Sequence, residues 1–210
     1  MSLYRLYRWY DTATPEQLYA GRNWYPTARK RICEIVDKYG FLPYVTHETV
    51  SGVVAVLSPN VDWETNLYDA ANVVDAYPSI VTVSSYNKNR DKAYAILHAA
   101  CQLPGPVRRV NTIGIVRGDK VVPFYANLLG DDTALTLDSH AYNAWCGYRA
   151  TGSKLPGMPA AMRRKAALDY TRAAKRKGES VSAFQAILWI VWKDRIDNGR
   201  VKGYDRANNR

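Results

Sequence analysis

Most of the chain reads as apolar positions at helical spacing, punctuated by glycine, proline and short polar stretches. The stretch Thr14 to Gly40 predicts two helices, with Thr14 as the first cap, Pro15 in the first helical position and Gly40 as the final stop. Glu48 to Pro59 predicts an apolar helix stopped by Ser58-Pro59. Asp62 to Tyr77 has apolar residues at helical spacing, with Asp62 as its cap. Asn87 to Leu103 predicts a helix closed by Pro104-Gly105. Met158 to Gly178 predicts a basic helix ended by Gly178, and Ser180 to Gly199 a last, strongly apolar one. The run from Ser79 to Tyr86 is rich in valine and isoleucine, but a lone strand has nothing to pair with. The pattern therefore predicts a mainly α protein, ending in a loose polar tail over residues 200–210.

A chain of 210 residues with 47% hydrophobic residues has enough apolar material for one large domain or two small lobes. The longest apolar run, Ala183 to Trp192, is about half the ~20 residues that a bilayer requires, so no membrane partner is expected. The N-terminal stretch lacks the apolar core of a secretion signal. Cys33, Cys101 and Cys146 are widely spaced and form no CxxC pair. A reducing, cytoplasmic setting is expected. No His, Cys and carboxylate cluster has metal-ligand spacing, so neither a metal nor a cofactor is expected.

Charge narrows the function classes. Lys and Arg outnumber Asp and Glu by 29 to 19, giving a net +10. Residues 161–210 hold 13 basic and 5 acidic residues, so most of the excess lies there. That sign and clustering favour a polyanionic partner, most simply nucleic acid. Arg163 and Arg164 are candidate contacts, against the plainer reading of a solvated helix face.

Residues 108–145 carry the most specific pattern. A short segment ends at Gly114, a tight connection follows through Arg117 and Gly118, and a helix runs to Gly130. Pro123 falls in that helix's first turn, where a missing N–H costs least. Such a helix–hairpin–helix is a phosphate clamp. Gly118 lets the backbone approach closely, and the N–H groups at the helix start face an anion. The next helix start, Leu137-Asp138-Ser139-His140, lies 18 residues from Lys120 to Asp138.

These features resemble the helix-hairpin-helix DNA glycosylase superfamily typified by endonuclease III and 8-oxoguanine DNA glycosylase. That family's pattern is a hairpin glycine, one residue, a lysine, a helix, a loop and then apolar-Asp-x-His, matched here by Gly118, Lys120 and Leu137 to His140. Gly52 to Asn60 resembles its apolar helix ending in Leu-Ser-x-Gln. Ser84 to Leu97 resembles its next helix. The likeness covers about Gly52 to Trp145. It departs at the hairpin, where the family usually reads Leu-Pro-Gly-x-Gly and only the second glycine is in register. It also lacks the four-cysteine iron–sulfur loop.

The resemblance implies an all-α, two-lobed fold. One lobe is expected over residues 46–135, containing the hairpin motif at about 108–130. The other would combine residues 1–45 with 136–210. It implies a monomer that acts on double-stranded DNA and cleaves the N-glycosidic bond of an extruded base. Asp138 would stabilise the sugar cation, and Lys120 is the alternative Schiff-base nucleophile. Gly118, Arg117 and Asn60 would contact the duplex, Asn60 by filling the gap the base leaves. Trp63, Tyr25 and Trp24 would stack on the base. His140 reads as a structural histidine. Two rival functions stand beside this one. The first is a phage-type enzyme of the same fold, which displaces pyrophosphate from an activated thymine with an amine or amino acid. The second is a DNA-binding module without catalysis, which has no use for the Asp138 carboxylate.

Overall fold

A computed structural model describes residues 2–102, 112–147 and 158–197. Among the described residues there are ten helices and no strand, so the fold is all-α. The helices are α1 (Ser2–Asp11), α2 (Pro15–Tyr39), α3 (His47–Leu57), α4 (Trp63–Ala76), α5 (Asn87–Cys101), α6 (Thr112–Ile115), α7 (Val121–Leu128), α8 (Ser139–Cys146), α9 (Ala160–Lys177) and α10 (Val181–Asp197). The Pro104-Gly105 stop, the start of the hairpin motif at residues 108–111 and the tail over residues 200–210 lie outside the described residues.

Local chemistry explains most helix ends. Thr14 and Gln17 form a reciprocal pair at the start of α2: the Thr14 hydroxyl accepts from the Gln17 N–H at 3.3 Å, and the Gln17 side chain accepts from the Thr14 N–H at 2.9 Å. Thr46 and Thr49 do the same for α3. Asp62 accepts from the Thr65 N–H at 3.1 Å and caps α4. Gly178 ends α9 in the left-handed conformation, φ 70°, which only glycine adopts without strain.

Two expectations are corrected. Residues 14–40 form one helix, not two: α2 continues through Pro26. Proline removes one backbone donor, but residues on either side are anchored by packing, with Tyr25, Ala28 and Ile32 buried. The second correction is α1, a helix beyond those expected. Leu6 is fully buried, and Leu3, Tyr7 and Tyr10 pack on the same core.

The chain forms two compact units, Met1–Pro26 with Asp131–Arg210, and Thr27–Gly130. The expected divisions lay after residues 45 and 135; the chain passes from one unit to the other at Pro26 and Gly130. In the Thr27–Gly130 unit, α3 is buried continuously from Thr49 to Leu57 and packs against α4, α5, α6 and α7. Each of its fully buried valines and leucines contributes roughly 1.5–3 kcal/mol relative to exposure. The second half of α2 belongs here: Arg29 donates to the Asn127 carbonyl at 3.1 Å, and Arg31 pairs with Glu64 at 2.9 Å. The Ser79 to Tyr86 stretch is a loop, tied by Tyr94, whose hydroxyl accepts from Val81 N–H at 3.0 Å and donates to the Ser79 carbonyl at 2.7 Å.

In the other unit α1, α8, α9 and α10 pack around Leu6, Tyr142, Trp145, Tyr170, Phe184 and Leu188. Gly21 of α2 lies directly on Ile187 of α10. Arg5 donates to the Cys146 carbonyl at the end of α8. A buried carboxylate, Asp169, ties three helices together. Its Oδ2 accepts from Ser2 Oγ at 2.6 Å, from Trp145 Nε1 at 2.9 Å and from Lys165 Nζ at 3.3 Å. Burial pushes its pKa up, but the bonds from Ser2, Trp145 and Lys165 together outweigh burial, so the net shift is downward. A lowered carboxyl pKa stabilises the fold above the unfolded-state value of about 3.9, and that stability is lost as the pH falls through the folded value. Asp169→Ala leaves the Trp145 N–H without its acceptor. It should cost about 1–3 kcal/mol at neutral pH. In thermal melts across pH, the gap between wild type and variant should narrow as the pH falls below about 4. A gap that persists undiminished at lower pH would show that the carboxylate charge does not matter.

Candidate active site

Asp138 begins α8. Its backbone is extended, φ −86° and ψ −175°, and its side chain turns back so that Oδ1 accepts from the Ala141 N–H at 2.8 Å. The carboxylate is half-buried. Two phenols of the same unit lie near enough to feel its charge. Tyr25 and Tyr170 both have their ionisation pushed up, first by burial and then by the negative charge of Asp138, which opposes a second anion beside it. The Tyr170 hydroxyl donates to the Ala141 carbonyl at 2.8 Å, which fixes the first turn of α8. The Tyr25 hydroxyl donates to Gln185 Oε1 at 3.2 Å.

An aromatic group lies in the same unit. Trp24 packs edge-on against Tyr25, ring centroids 4.7 Å apart, and against Trp189 at 6.3 Å. His140, two residues beyond Asp138, packs edge-on against Trp189 at 6.2 Å. Its Nδ1 is buried and has no hydrogen-bond partner among the described residues. Lys193 Nζ lies 5.0 Å from the Trp189 ring centroid. Trp24 and Trp189 are both half-buried, whereas Tyr25 is only 3% exposed. The unit that holds this carboxylate thus also holds two neighbouring indole rings, an imidazole and an ammonium group. Trp189 and Lys193 were not singled out from sequence. The apolar run from Ala183 to Trp192 hides Trp189, although it sits one turn after Gln185 and one turn before Lys193, on the less buried side of α10.

The remaining candidates fall on the Thr27–Gly130 unit. The connection after α6 contains Gly118 at φ 118°, a conformation that demands glycine even though nothing but Val121 crowds the position. Arg117 folds back and donates from Nε to the Gly114 carbonyl at 2.8 Å, closing the turn. Lys120 is the cap residue of α7 and its side chain does not bond to the helix start. Pro123 sits in the first turn of α7. Asn60 follows α3 at φ 61°, an uncommon conformation for a non-glycine residue and one that asparagine tolerates best. It is exposed, and its Nδ2 donates to the Tyr86 hydroxyl at 2.5 Å. Tyr86 is 52% exposed, with Lys88 Nζ 5.6 Å from its ring centroid. Trp63 opens α4, half-buried, in this unit rather than beside Trp24 and Tyr25. Arg163 and Arg164 lie near the start of α9 in the unit that holds Asp138.

Among the described residues, no group of three or more His, Cys, Asp or Glu side chains is placed to hold a metal ion, and no helix is long and apolar enough to cross a membrane. No disulfide joins Cys33, Cys101 and Cys146. The model of a family described as "Family of unknown function (DUF7178)" matches residues 2–196. No curated protein and no solved structure matches the chain.

Proposed function

The chain belongs to the DUF7178 family, whose function is unknown, and from that premise we propose that it is a DNA base-processing enzyme that cleaves the N-glycosidic bond of an extruded base. The observation that carries this reading is the Asp138 carboxylate, held at the start of α8 by the Ala141 N–H in the same unit as half-buried Trp24 and Trp189, whose rings meet edge-on. Breaking the bond sends its electron pair out with the base and leaves positive charge on the sugar. A fixed carboxylate lowers the energy of that cation and orients a water. The water oxygen bonds to the sugar carbon, and its proton passes to the departing base. Indole faces suit an unstacked base, since stacking recovers part of the few kcal/mol that extrusion costs. In the other unit, Gly118 and the start of α7 supply a backbone approach to phosphate, and exposed Asn60 with Tyr86 supplies a polar and aromatic tip to enter the duplex.

Lys120 decides the mechanism. If its amine attacks the sugar carbon, the imine that forms is reduced by borohydride to a stable protein–DNA adduct. The expectation under direct hydrolysis is base release with no adduct in the wild type and roughly equal turnover in Lys120→Ala. An adduct that forms in the wild type and disappears in Lys120→Ala would assign the lyase route instead. Mass analysis of the nucleosides separates both from base hypermodification: that reaction leaves the base in the DNA with an added amine or amino acid.

A further inference from the structure

We infer that α9 carries a second phosphate-contact stripe, formed by Arg164, Arg172 and Lys175, that binds the backbone of duplex DNA from the unit holding Asp138. The inference rests on the reading above for the class of partner, and adds a site to it. Helix α9 holds seven cations against one acid, Asp169, so +6 of the chain's net +10 sits on 18 residues. Four of the seven are engaged within the protein. Lys165 bonds to Asp169 at 3.3 Å, Lys177 to Asp11 at 2.5 Å, the Arg176 guanidinium lies 5.2 Å from the Tyr7 ring centroid, and Arg163 has a contact of its own. Arg164, Arg172 and Lys175 are exposed, and their side chains make no hydrogen bond or ion pair among the described residues. Attraction to the negative end of the helix accounts for a cation at Lys175, in the last turn, but not for Arg164 or Arg172.

Helical geometry places the three on one stripe about 80° wide. Arg164 and Arg172 are ~12 Å apart along the axis and Lys175 is ~4.5 Å further on. A set of cations on one face of a rigid helix fits a regular polyanion, and arginine suits phosphate because its planar fork donates two parallel bonds. An anionic membrane is the poorer fit. A helix that lies on a bilayer inserts a broad apolar face, but the apolar face of α9 is already buried through Ala166, Tyr170, Ala173 and Ala174. Only Leu168, 56% exposed, lies on the stripe.

The test is the salt dependence of binding to a short duplex of undamaged DNA, which needs no base chemistry. The full chain would be compared with the variant carrying Arg164→Gln, Arg172→Gln and Lys175→Gln; glutamine keeps the helix propensity. The slope of log affinity against log salt should shrink by about 0.9 per lost contact, so by roughly 2–3 in the triple variant, with affinity at low salt down about tenfold or more. Lys177→Gln, which removes a cation already paired with Asp11, should leave the slope unchanged. An unchanged slope in a folded triple variant would overturn the stripe, as would an equal loss in Lys177→Gln, which would show that bulk charge alone matters. Wild-type binding to phosphatidylserine vesicles that the triple variant loses, with DNA binding intact, would also overturn it. The two readings fail separately. A stripe without base release shows as a reduced slope and no product; base release without the stripe shows as an unchanged slope and normal turnover.

Discussion

Asp138→Asn should fold, bind DNA at least as tightly as the wild type, and turn over slower by about a hundredfold or more. Folding survives because asparagine caps a helix about as well as aspartate. Its side-chain oxygen can still accept from the Ala141 N–H, as Oδ1 does at 2.8 Å. The stability change should stay within about 0.5 kcal/mol. Binding survives or improves because a negative charge near phosphates is removed. Turnover falls because the neutral amide cannot stabilise a sugar cation. Asp138→Ala separates the two roles: it should lose activity to the same extent and also about 1 kcal/mol of stability with the cap. Melting temperature, duplex affinity and turnover, measured on the three proteins, check this. Full turnover in a folded Asp138→Asn protein would reduce Asp138 to a cap and put the catalytic group elsewhere; duplex binding with no turnover in any of the three would leave the DNA-binding module as the better account.

Gly21→Ala should destabilise the protein by about 3 kcal/mol or more, a fall in Tm of roughly 6–12 °C. The sign is informative because helix propensity alone predicts the opposite: alanine in place of a mid-helix glycine normally gains about 1 kcal/mol. Here a Cβ at Gly21 would lie 2.4 Å from Ile187 Cγ1, 2.6 Å from Ile187 Cα and 2.7 Å from Ile187 N. The backbone contacts cannot be relieved by trimming a side chain, so Ile187→Ala should not rescue the variant. Helix α2 would have to move off α10. Tyr25, one turn along α2, bonds to Gln185 of α10 and feels the charge of Asp138, so its placement would be disturbed as well. Thermal denaturation checks the prediction; a stabilised Gly21→Ala protein would mean that α2 and α10 are not in backbone contact.

Sequence and structure agree where a short-range rule decides. Asp62 and Asp138 were legible as caps because an acid before an apolar helix satisfies N–H groups a few residues on. Gly178 was legible as a stop because the left-handed residue after a helix favours glycine. They part where distant residues decide. Helix α2 runs through Pro26 because Tyr25, Ala28 and Ile32 are buried on either side of it, and nothing within ten residues reveals what buries them. Helix α1 is an exception: Leu3, Leu6, Tyr7 and Tyr10 recur at helical spacing with Arg5 and Arg8 on the opposite face, so its apolar stripe is readable from the sequence. At the site, Asp138 and Trp24 were each singled out from local pattern. That Trp24 and His140 both meet Trp189, with Lys193 over its ring, depends on how α2, α8 and α10 pack, which no spacing along the chain encodes.

The central claim is that Asp138 supports cleavage of a base from its sugar, and the most direct measurement is mass analysis of the small molecules released from duplex DNA carrying a panel of damaged or modified bases. The account predicts a free base from at least one substrate with the wild-type protein and a yield lower by about a hundredfold or more with Asp138→Asn. Equal yields from the two proteins, or no free base from any substrate that the wild type binds, would contradict it.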